Sequence, residues 1–435
     1  MTARRLDSRP LRIGYLVQQF APEVGAGPAR VVEMARRWMA AGAEVTVITG
    51  MPNRPQGRIY PEYRGRWFME EEWEGMRVLR SWLYADPRHG FGRTVLNNLT
   101  FMVTSAVHGL WRGGRPDVLI ASAPPFFPHL TGALLAATKR VPLVLELRDL
   151  WPDYLVGMGV LKPGRPETRL LFGLERRVLG RADRVVVVTE SFKTRVIEKG
   201  VPAERITVVP NGVDTAFYFP TEEPPPLEAL ARRNGEVVVG YLGNFGAGQG
   251  LEAVVEAAAI LATRRAPVRF VLAGDGPARA GLVARVREFQ LPNLVVHPPI
   301  PKAVTRAFYN ACDVCLVPLA PVDVFQETVP SKLFEVMACG RPLVASVGGE
   351  AAAIVQRSGG GVVVPPGDAA AIADGIERLR RTPADARAAM GERARDYVDR
   401  HFSRAALADR YLEMLVALAG GPGVTGDEPA MAAVA

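Results

Sequence analysis

Two glycine-rich turns, each joining a short apolar strand to a helix, constrain the fold of this chain more than any other feature. The first turn lies between an apolar run at residues 11–17 and a helical pattern at 28–41, and a second strand follows at 44–49. The second turn lies between an apolar run at 237–242 and a helical pattern at 251–263. Because strand–helix–strand units form parallel sheets, this alternation predicts an α/β fold with two doubly wound, Rossmann-like domains.

The length and one proline-rich segment predict the domain boundaries. A chain of 435 residues exceeds the roughly 100–200 residues that are usual for one domain. The acidic stretch TEEPPP at 221–226 has the composition of a linker. We predict an N-terminal domain at 1–215, a second domain at 216–395, a helix at 396–418 that packs back on the N-terminal domain, and a disordered tail at 419–435.

Charge is distributed unevenly between the two halves. Residues 1–215 contain 31 lysines and arginines against 21 acidic residues, whereas residues 216–435 contain 22 against 24. The basic first half predicts an anionic partner, which is a membrane surface, a phosphorylated substrate or nucleic acid. Because no helix-turn-helix, zinc-finger or RNP motif is present, we expect no nucleic-acid partner.

The segment 88–115 combines arginines with large apolar side chains. Its basic residues are Arg88, Arg93, Arg112 and Arg115. A basic, apolar helix at a surface is typical of a membrane-contacting element, and the alternative is a core helix with ordinary flanking arginines. Because no segment cleanly provides the roughly 20 apolar residues that a spanning helix needs, we predict a cytoplasmic protein that is peripheral to the inner membrane.

The first glycine-rich turn reads PEVGAGPAR and places Gly25 and Gly27 between strand and helix. Glycine lets the backbone approach a ligand, and a helix N-terminus favours an anion. Arg30 follows in the first helical turn, where it would add positive charge. The sequence therefore predicts an anion site here, and the alternative is a plain strand-to-helix turn.

The second turn reads GYLGNFGAGQGLEAV and contains Gly243, Gly246, Gly248 and Gly250. The same anion-binding physics applies to it. No Gly-Lys-Ser/Thr follows, so it is not a Walker A loop, and its spacing is not the G-x-G-x-x-G of dinucleotide enzymes. A dinucleotide oxidoreductase is therefore disfavoured.

The segment ETVPSKLFEVMACG at 327–340 carries two carboxylates around a predicted helix start. If the helix begins near Ser331, Glu335 lies in its early turns and Glu327 precedes it on a loop. A carboxylate suits a sugar diol because it offers two acceptor oxygens. Lys332 is one of only six lysines among 53 basic residues, and it would offset a pyrophosphate at the helix N-terminus. The alternative is an exposed helix start with scattered charges.

Taken in order, the motifs of the chain resemble those of one enzyme family. They are PEVGAGPAR, RDLWPD (148–153), VVPNGVDTAFYFP (208–220), YLGNFGAGQGLE, GDGP (274–277), VPSKLFEVMACG and GGGVVVPPGD (359–368). The chain resembles the retaining glycosyltransferases of family 4, which have the GT-B fold, and especially their O-antigen and capsule branch with L-fucosamine transferase-like enzymes. The resemblance implies two domains facing a cleft, of which the first binds the acceptor and the second binds the nucleotide sugar.

The same resemblance implies roles for individual residues. Glu327 would contact hydroxyls of the donor sugar and Glu335 the nucleotide ribose. Gly25 and Gly27 would lie near the donor phosphate.

One departure from the family concerns the diphosphate. The family's second-domain loop usually carries an arginine and a lysine, and Asn244 and Gln249 stand in those places here. Because amides cannot neutralise charge, we infer that Lys332, the loop amides and the helix dipole take over part of that duty. The predicted donor-binding residues are completed by Gly243, Gly250 and Ser331.

Two further expectations concern catalysis. Asp149 and Asp153 are candidates for contacts to the acceptor or the reacting sugar. Many family members carry a histidine after the fourth strand, where this chain has Ser122, with His129 a few residues downstream. No D-x-D triplet occurs in the sequence, so we predict no metal and no cofactor, with the leaving-group charge stabilised by fixed protein groups.

The sequence thus predicts a retaining, metal-independent hexosyltransferase of surface polysaccharide synthesis. Its donor would be a nucleotide-diphosphate sugar, with UDP favoured, and its acceptor a glycan or a polyprenyl-diphosphate-linked glycan. The alternatives are a GT-B-fold nucleotide-sugar epimerase and a basic nucleic-acid-binding protein.

Overall fold

A computed structural model describes residues 9–88, 90–231 and 235–420. By their contacts these residues form two compact units. Unit 1 comprises the described residues up to Val188, Lys193–Val209 and those from Ala405 onward, and unit 2 comprises Thr189–Phe192 and Pro210–Arg404. The division at Val209 and Pro210 precedes the boundary that the sequence predicts at 215/216. Residues 421–435 of the predicted tail lie outside the described residues.

Unit 1 is built on an eight-stranded sheet of order β3-β4-β2-β1-β5-β6-β7-β8. All neighbouring strands are parallel except β3 and β4, which form an antiparallel hairpin at one edge. The central strands are rich in valine, leucine and isoleucine because helices cover both faces of a parallel sheet. The strands are β1 (Arg12–Leu16), β2 (Glu44–Gly50), β3 (Phe68–Trp73), β4 (Met76–Ser81), β5 (Val118–Ala123), β6 (Leu143–Leu147), β7 (Arg184–Val187) and β8 (Ile206–Val208).

Helices connect most consecutive strands of this half of the chain, as the sequence predicts, although no α-helix lies between β2 and β4 and two helices follow β6. They are α1 (Ala26–Ala40), α2 (Phe91–Arg112), α3 (Phe127–Lys139), α4 (Trp151–Gly157), α5 (Pro166–Leu179) and α6 (Glu190–Glu198).

Unit 2 is built on a six-stranded, fully parallel sheet of order β11-β10-β9-β12-β13-β14. Its strands are β9 (Val237–Asn244), β10 (Val268–Asp275), β11 (Leu294–His297), β12 (Val314–Pro318), β13 (Leu343–Ser346) and β14 (Gly361–Val364). Its helices are α7 (Leu251–Thr263), α8 (Arg279–Glu288), α9 (Thr305–Ala311), α10 (Ser331–Ala338), α11 (Gly349–Ser358), α12 (Ala369–Arg381) and α13 (Ala384–His401). The α/β prediction with two mostly parallel sheets is confirmed.

The C-terminal helical region is two helices, and the break between them falls inside the single helix that the sequence predicts at 396–418. Helix α13 ends at His401, and α14 (Arg404–Leu418) begins after a short break. Helix α14 packs in unit 1, where the Trp38 indole donates to the backbone oxygen of Ala408 at 2.9 Å and Arg37 pairs with Asp409 at 2.7 Å. The part of the predicted 396–418 helix before the break therefore belongs to unit 2.

Among the described residues, no helix combines the length and the apolar character that crossing a membrane requires.

Candidate active site

Both glycine-rich turns leave their sheets where the strand order reverses. In unit 1, β1 lies between β2 and β5, and in unit 2, β9 lies between β10 and β12. Ligands of doubly wound sheets bind at such switch points, beyond the carboxyl ends of the strands. The helices that follow, α1 and α7, begin with no side-chain cap, so their first amides remain available to an anion. Each unit therefore has one candidate ligand-binding edge.

In unit 2, the turn after β9 packs tightly against the loop after β12. Gly250 adopts φ 61° immediately before α7, and a β-carbon there would lie 2.7 Å from the backbone oxygen of Leu319. Only glycine adopts this conformation at this spacing without strain. The amides at the start of α7 are thereby fixed in position.

Lys332 is a cation at this edge. It lies in the first turn of α10, and its Nζ donates to the Tyr241 hydroxyl at 2.7 Å and to Gln249 Oε1 at 2.5 Å. The ammonium also lies 4.0 Å from the centre of the Tyr241 ring. A β-carbon on Gly243 would lie 3.1 Å from Nζ, so the lysine faces the glycine-rich turn.

The electrostatic environment of Lys332 favours an incoming anion. Within the part of the chain that the structure describes, Lys332 forms no ion pair, and its hydrogen-bond partners are neutral. Burial lowers the pKa of Lys332 to about 7, and the nearby Glu335 opposes this only in part. A bound diphosphate would restore the charged form.

The two amides that replace the family's basic residues do not behave alike. Gln249 uses its side-chain oxygen to hold Lys332, whereas the Asn244 side chain is exposed and its backbone oxygen accepts from the Tyr241 hydroxyl at 2.7 Å. Gln249 thus positions Lys332.

The two predicted carboxylates of unit 2 have different surroundings. Glu335 is half-buried and accepts a hydrogen bond from the Tyr309 hydroxyl at 2.9 Å. Burial raises the pKa of Glu335. The hydrogen bond from Tyr309 and the positive charge of nearby cations each offset part of that effect. Glu327 ends a short 3-10 turn four residues before α10, and its backbone oxygen accepts from the Thr189 hydroxyl at 3.2 Å. Ser331 is the first residue of α10.

In unit 1, an arginine lies beneath the glycine-rich turn. A β-carbon on Gly27 would lie 2.5 Å from Arg148 Nη1, so the guanidinium occupies the space that a side chain would fill. Arg148 Nε donates to the Ser122 hydroxyl at 3.1 Å and to the backbone oxygen of Ala123 at 3.3 Å. Gly25 immediately precedes α1.

Arg30 lies inside the core, which corrects the expectation that it adds positive charge to an anion site at the start of α1. It is 1% exposed, pairs with the fully buried Glu146 at 3.1 Å, and donates to the backbone oxygen of Val209 at 3.0 Å. Glu146 also accepts from the hydroxyls of Tyr15 and Ser122, each at 2.7 Å. Burial alone would raise the pKa of Glu146, but Arg30 and Arg148 outweigh it and lower that pKa. Arg30 therefore positions the Glu146 carboxylate.

The two aspartates of RDLWPD differ in availability. Burial raises the pKa of Asp149 to about 6, although Arg148 and the Leu150 amide act in the opposite direction. Asp153 pairs with Lys199 at 2.5 Å, and Lys199 also pairs with Glu175 at 2.6 Å. Asp149 is thus the more available group.

His129 lies in the core of unit 1. It is 3% exposed, its Nε2 lies 3.2 Å from the backbone oxygen of Glu146, and burial lowers its pKa to about 4. The imidazole is therefore neutral near pH 7, and Ser122 belongs to the buried network that supports Arg148.

Family comparisons identify both halves of the chain. Residues 25–212 match the family model described as Glycosyl transferase 4-like domain, and residues 236–382 match Glycosyl transferases group 1. A D-inositol 3-phosphate glycosyltransferase of Pseudarthrobacter chlorophenolicus is 30% identical, and the alignment covers 81% of each chain. The chain belongs to the GT-B glycosyltransferases.

Relatives of this glycosyltransferase include enzymes of bacterial polysaccharides. WcaI of Escherichia coli K12, named for a glycosyl transferase role in colanic acid biosynthesis, is 29% identical over 74% of this chain and 79% of its own. WbjE of Pseudomonas aeruginosa, named as a glycosyltransferase, is 30% identical over 62% and 67%. The comparisons do not favour the epimerase alternative.

Solved structures share the fold of this glycosyltransferase. Sucrose-phosphate synthase from Thermosynechococcus elongatus superposes with a TM-score of 0.74 at 22% identity, covering 94% of this chain and 99% of that one. HepE of Anabaena, in complex with UDP and glucose, superposes with a TM-score of 0.66 at 19% identity, covering 93% and 99%.

Three residues at the candidate site were not predicted from the sequence. Arg148 directly precedes Asp149 at a strand end, and this position could have identified it as a candidate. Tyr241 and Tyr309 lie in apolar runs, where an aromatic residue reads as core.

Proposed function

We propose that this glycosyltransferase moves a hexosyl or N-acetylhexosaminyl group from a nucleotide-diphosphate sugar to a glycan or lipid-linked glycan acceptor, with retention of the anomeric configuration and without a metal. The observation that carries the proposal is Lys332, a half-buried cation with neutral partners that faces the glycine-rich turn of unit 2.

The diphosphate is the group that this edge suits best. Lys332 offers its charge, and the uncapped N-termini of α7 and α10 offer backbone amides and the positive ends of their helix dipoles. Because these groups are fixed before the reaction, they stabilise the negative charge that develops as the sugar leaves. Lys332 therefore acts on the leaving group in this proposal.

Two carboxylates bind the rest of the donor in this proposal. Glu335 accepts hydrogen bonds from the ribose hydroxyls, and its orientation is held by the Tyr309 hydroxyl. Glu327 accepts hydrogen bonds from the transferred sugar. Asn244, exposed beside the turn, contacts the donor through its amide.

Retention follows from proton transfer on one face of the sugar. A leaving phosphate oxygen takes the proton of the acceptor hydroxyl as the new glycosidic bond forms, so no separate general base is needed. Asp149, whose pKa of about 6 leaves it ionised above neutrality, accepts a hydrogen bond from the acceptor or the reacting sugar.

The donor nucleotide and the acceptor are proposed from the relatives. HepE was solved with UDP and glucose, which favours UDP, and WcaI is named for colanic acid biosynthesis, which favours a surface polysaccharide. A polyprenyl-diphosphate-linked glycan fits this setting and the basic first half of the chain.

Calorimetric titration of UDP tests the proposal at Lys332. Loss of one charge-assisted contact lowers affinity by about 10- to 100-fold, so the Lys332→Ala variant should bind UDP that much more weakly than the native chain. Arg357→Ala removes an exposed charge from the same unit and should leave the affinity unchanged. Equal affinities in the Lys332→Ala variant and the native chain would refute the role of Lys332.

The exposed surface of helix α2 supports the proposed membrane contact. One face of α2 carries exposed apolar side chains, with Trp111 70% and Val103 57% exposed. The other members of this face are Leu96, Leu99, Val107 and Leu110.

The charge of this surface is weaker than the sequence predicts. Arg88 and Arg93 pair with Asp86, and Arg112 pairs with Glu70. We therefore propose that apolar insertion, more than attraction to anionic lipid, supports the membrane contact.

Liposome flotation tests the membrane contact. The native chain should float with vesicles, the Val107→Ser/Trp111→Ser double variant should not, and Val295→Ser, an exposed valine of unit 2, should float normally. Flotation of the double variant at the native level would contradict the proposal.

A further inference from the structure

We propose that Arg148 is a second phosphate-binding residue of this enzyme and that its guanidinium, held beneath the turn at Gly25 and Gly27, binds a phosphoryl group through its two terminal nitrogens. This inference rests on the proposed function, because it assigns a substrate group to the unit 1 edge of the same reaction.

The hydrogen bonds of Arg148 leave most of its donors unused. Its Nε donates to Ser122 and to the backbone oxygen of Ala123. Within the described parts of the chain, Nη1 and Nη2 have no hydrogen-bond acceptor, although the side chain is only 11% exposed. An arginine presents five N–H groups in a planar fork, and this geometry matches phosphate oxygens.

The unused end of the guanidinium lies against Gly27. Nη1 lies 2.5 Å from where a β-carbon of Gly27 would be, and Gly27 is in the first turn of α1. That turn has no acidic side chain and no side-chain cap. The guanidinium therefore lies beside the first turn of α1, whose amides carry partial positive charge as well.

The buried network beneath Arg148 fixes its position and leaves positive charge available. Glu146 is close to Arg30 at 3.1 Å and is farther from Arg148, at 4.0 Å. Ser122 links the two sides, since its hydroxyl donates to Glu146 and accepts from Arg148. Asp149 follows Arg148 but forms no ion pair with it among the described residues. Glu146 thus offsets mainly Arg30.

Two substrates could supply the phosphoryl group. One is the diphosphate of the nucleotide sugar, and the other is the phosphate of a lipid-linked acceptor. Both present negatively charged phosphoryl oxygens to the guanidinium, so substrate-specific kinetics must distinguish them.

The test compares the variants Arg148→Ala and Arg148→Lys with Arg181→Ala, an exposed arginine of the same unit. Calorimetry with inorganic pyrophosphate comes first, because it requires no sugar transfer. Arg148→Ala should weaken pyrophosphate binding by about 10- to 100-fold, or remove one of two binding events. Arg148→Lys should retain part of the native affinity for pyrophosphate. Arg181→Ala should bind pyrophosphate as the native chain does.

Kinetics with the native chain and the same variants then assign the source. A rise in the donor KM identifies the nucleotide diphosphate, and a rise in the acceptor KM identifies the acceptor phosphate. If pyrophosphate binding depends on Arg148 but no sugar is transferred, the proposed function fails and this inference stands. Native pyrophosphate binding and native KM values in folded Arg148→Ala would overturn it.

Discussion

UDP binding should weaken as pH rises through neutrality, because Lys332 must be charged to hold a diphosphate. In the free protein, burial lowers the pKa of Lys332 to about 7. The bound diphosphate favours the ammonium form and raises that pKa, so the complex takes up a proton above pH 7. Affinity contributed by the lysine is therefore fully present below pH 7 and is lost as pH rises above it.

The expected size follows from the charged fraction of Lys332. With a pKa of about 7, roughly three quarters of the lysine is charged at about pH 6.5 and roughly 3% at about pH 8.5. If only the charged form binds, the dissociation constant for UDP rises about 25-fold across this range. The corresponding free energy is about 1.9 kcal/mol.

Calorimetry at several pH values, in buffers that differ in ionisation enthalpy, measures both the affinity and the proton uptake. The native chain should take up close to one proton per UDP near pH 8. Lys332→Gln should bind weakly, with little pH dependence and no such uptake. A flat native profile, or an equal slope in Lys332→Gln, would refute the assignment to Lys332.

Three further changes test other parts of the structure. Glu335→Gln should weaken UDP binding by about tenfold but should hardly change binding of a nucleotide that lacks the ribose diol, and calorimetry with both ligands checks this; equal losses for both would contradict ribose recognition. Arg30→Met should lower the free energy of unfolding by about 3–5 kcal/mol in urea titrations, because it leaves Glu146 charged and buried, and a native midpoint would show that the pair is not structural. Gly250→Ala should cost at least about 1–2 kcal/mol because of its positive φ, whereas Gly281→Ala, with open space around it, should cost nothing; similar costs would contradict the strained turn.

The fold could be predicted from the sequence because its signals are local. The apolar strand, glycine-rich turn and helix at residues 11–41 and 237–263 each fit within about thirty positions, and their spacing alone indicates a parallel sheet. The break between α13 and α14 was not predicted, because helical propensity continues through residues 384–418 while tertiary packing assigns α14 to unit 1.

The side-chain partners could not be predicted because they come from distant parts of the chain. Arg30 reads as a cation of the first helical turn that faces an anion, yet its carboxylate partner Glu146 is 116 positions away. Lys332 was identified by its helix position, but its neutral partners Tyr241 and Gln249 lie 91 and 83 positions away. The basic character of the segment 88–115 was overestimated because its acidic partners, Asp86 and Glu70, lie before the segment.

Incubation of the purified chain with a panel of nucleotide sugars and a membrane extract, followed by mass spectrometry, tests the enzymatic assignment most directly. We predict that an extract component gains the mass of one hexose or N-acetylhexosamine and that UDP-sugars are the most effective donors. Lys332→Ala should sharply reduce the product, whereas Arg357→Ala should not. Conversion of a nucleotide sugar without any acceptor, or undiminished transfer by Lys332→Ala, would contradict the assignment.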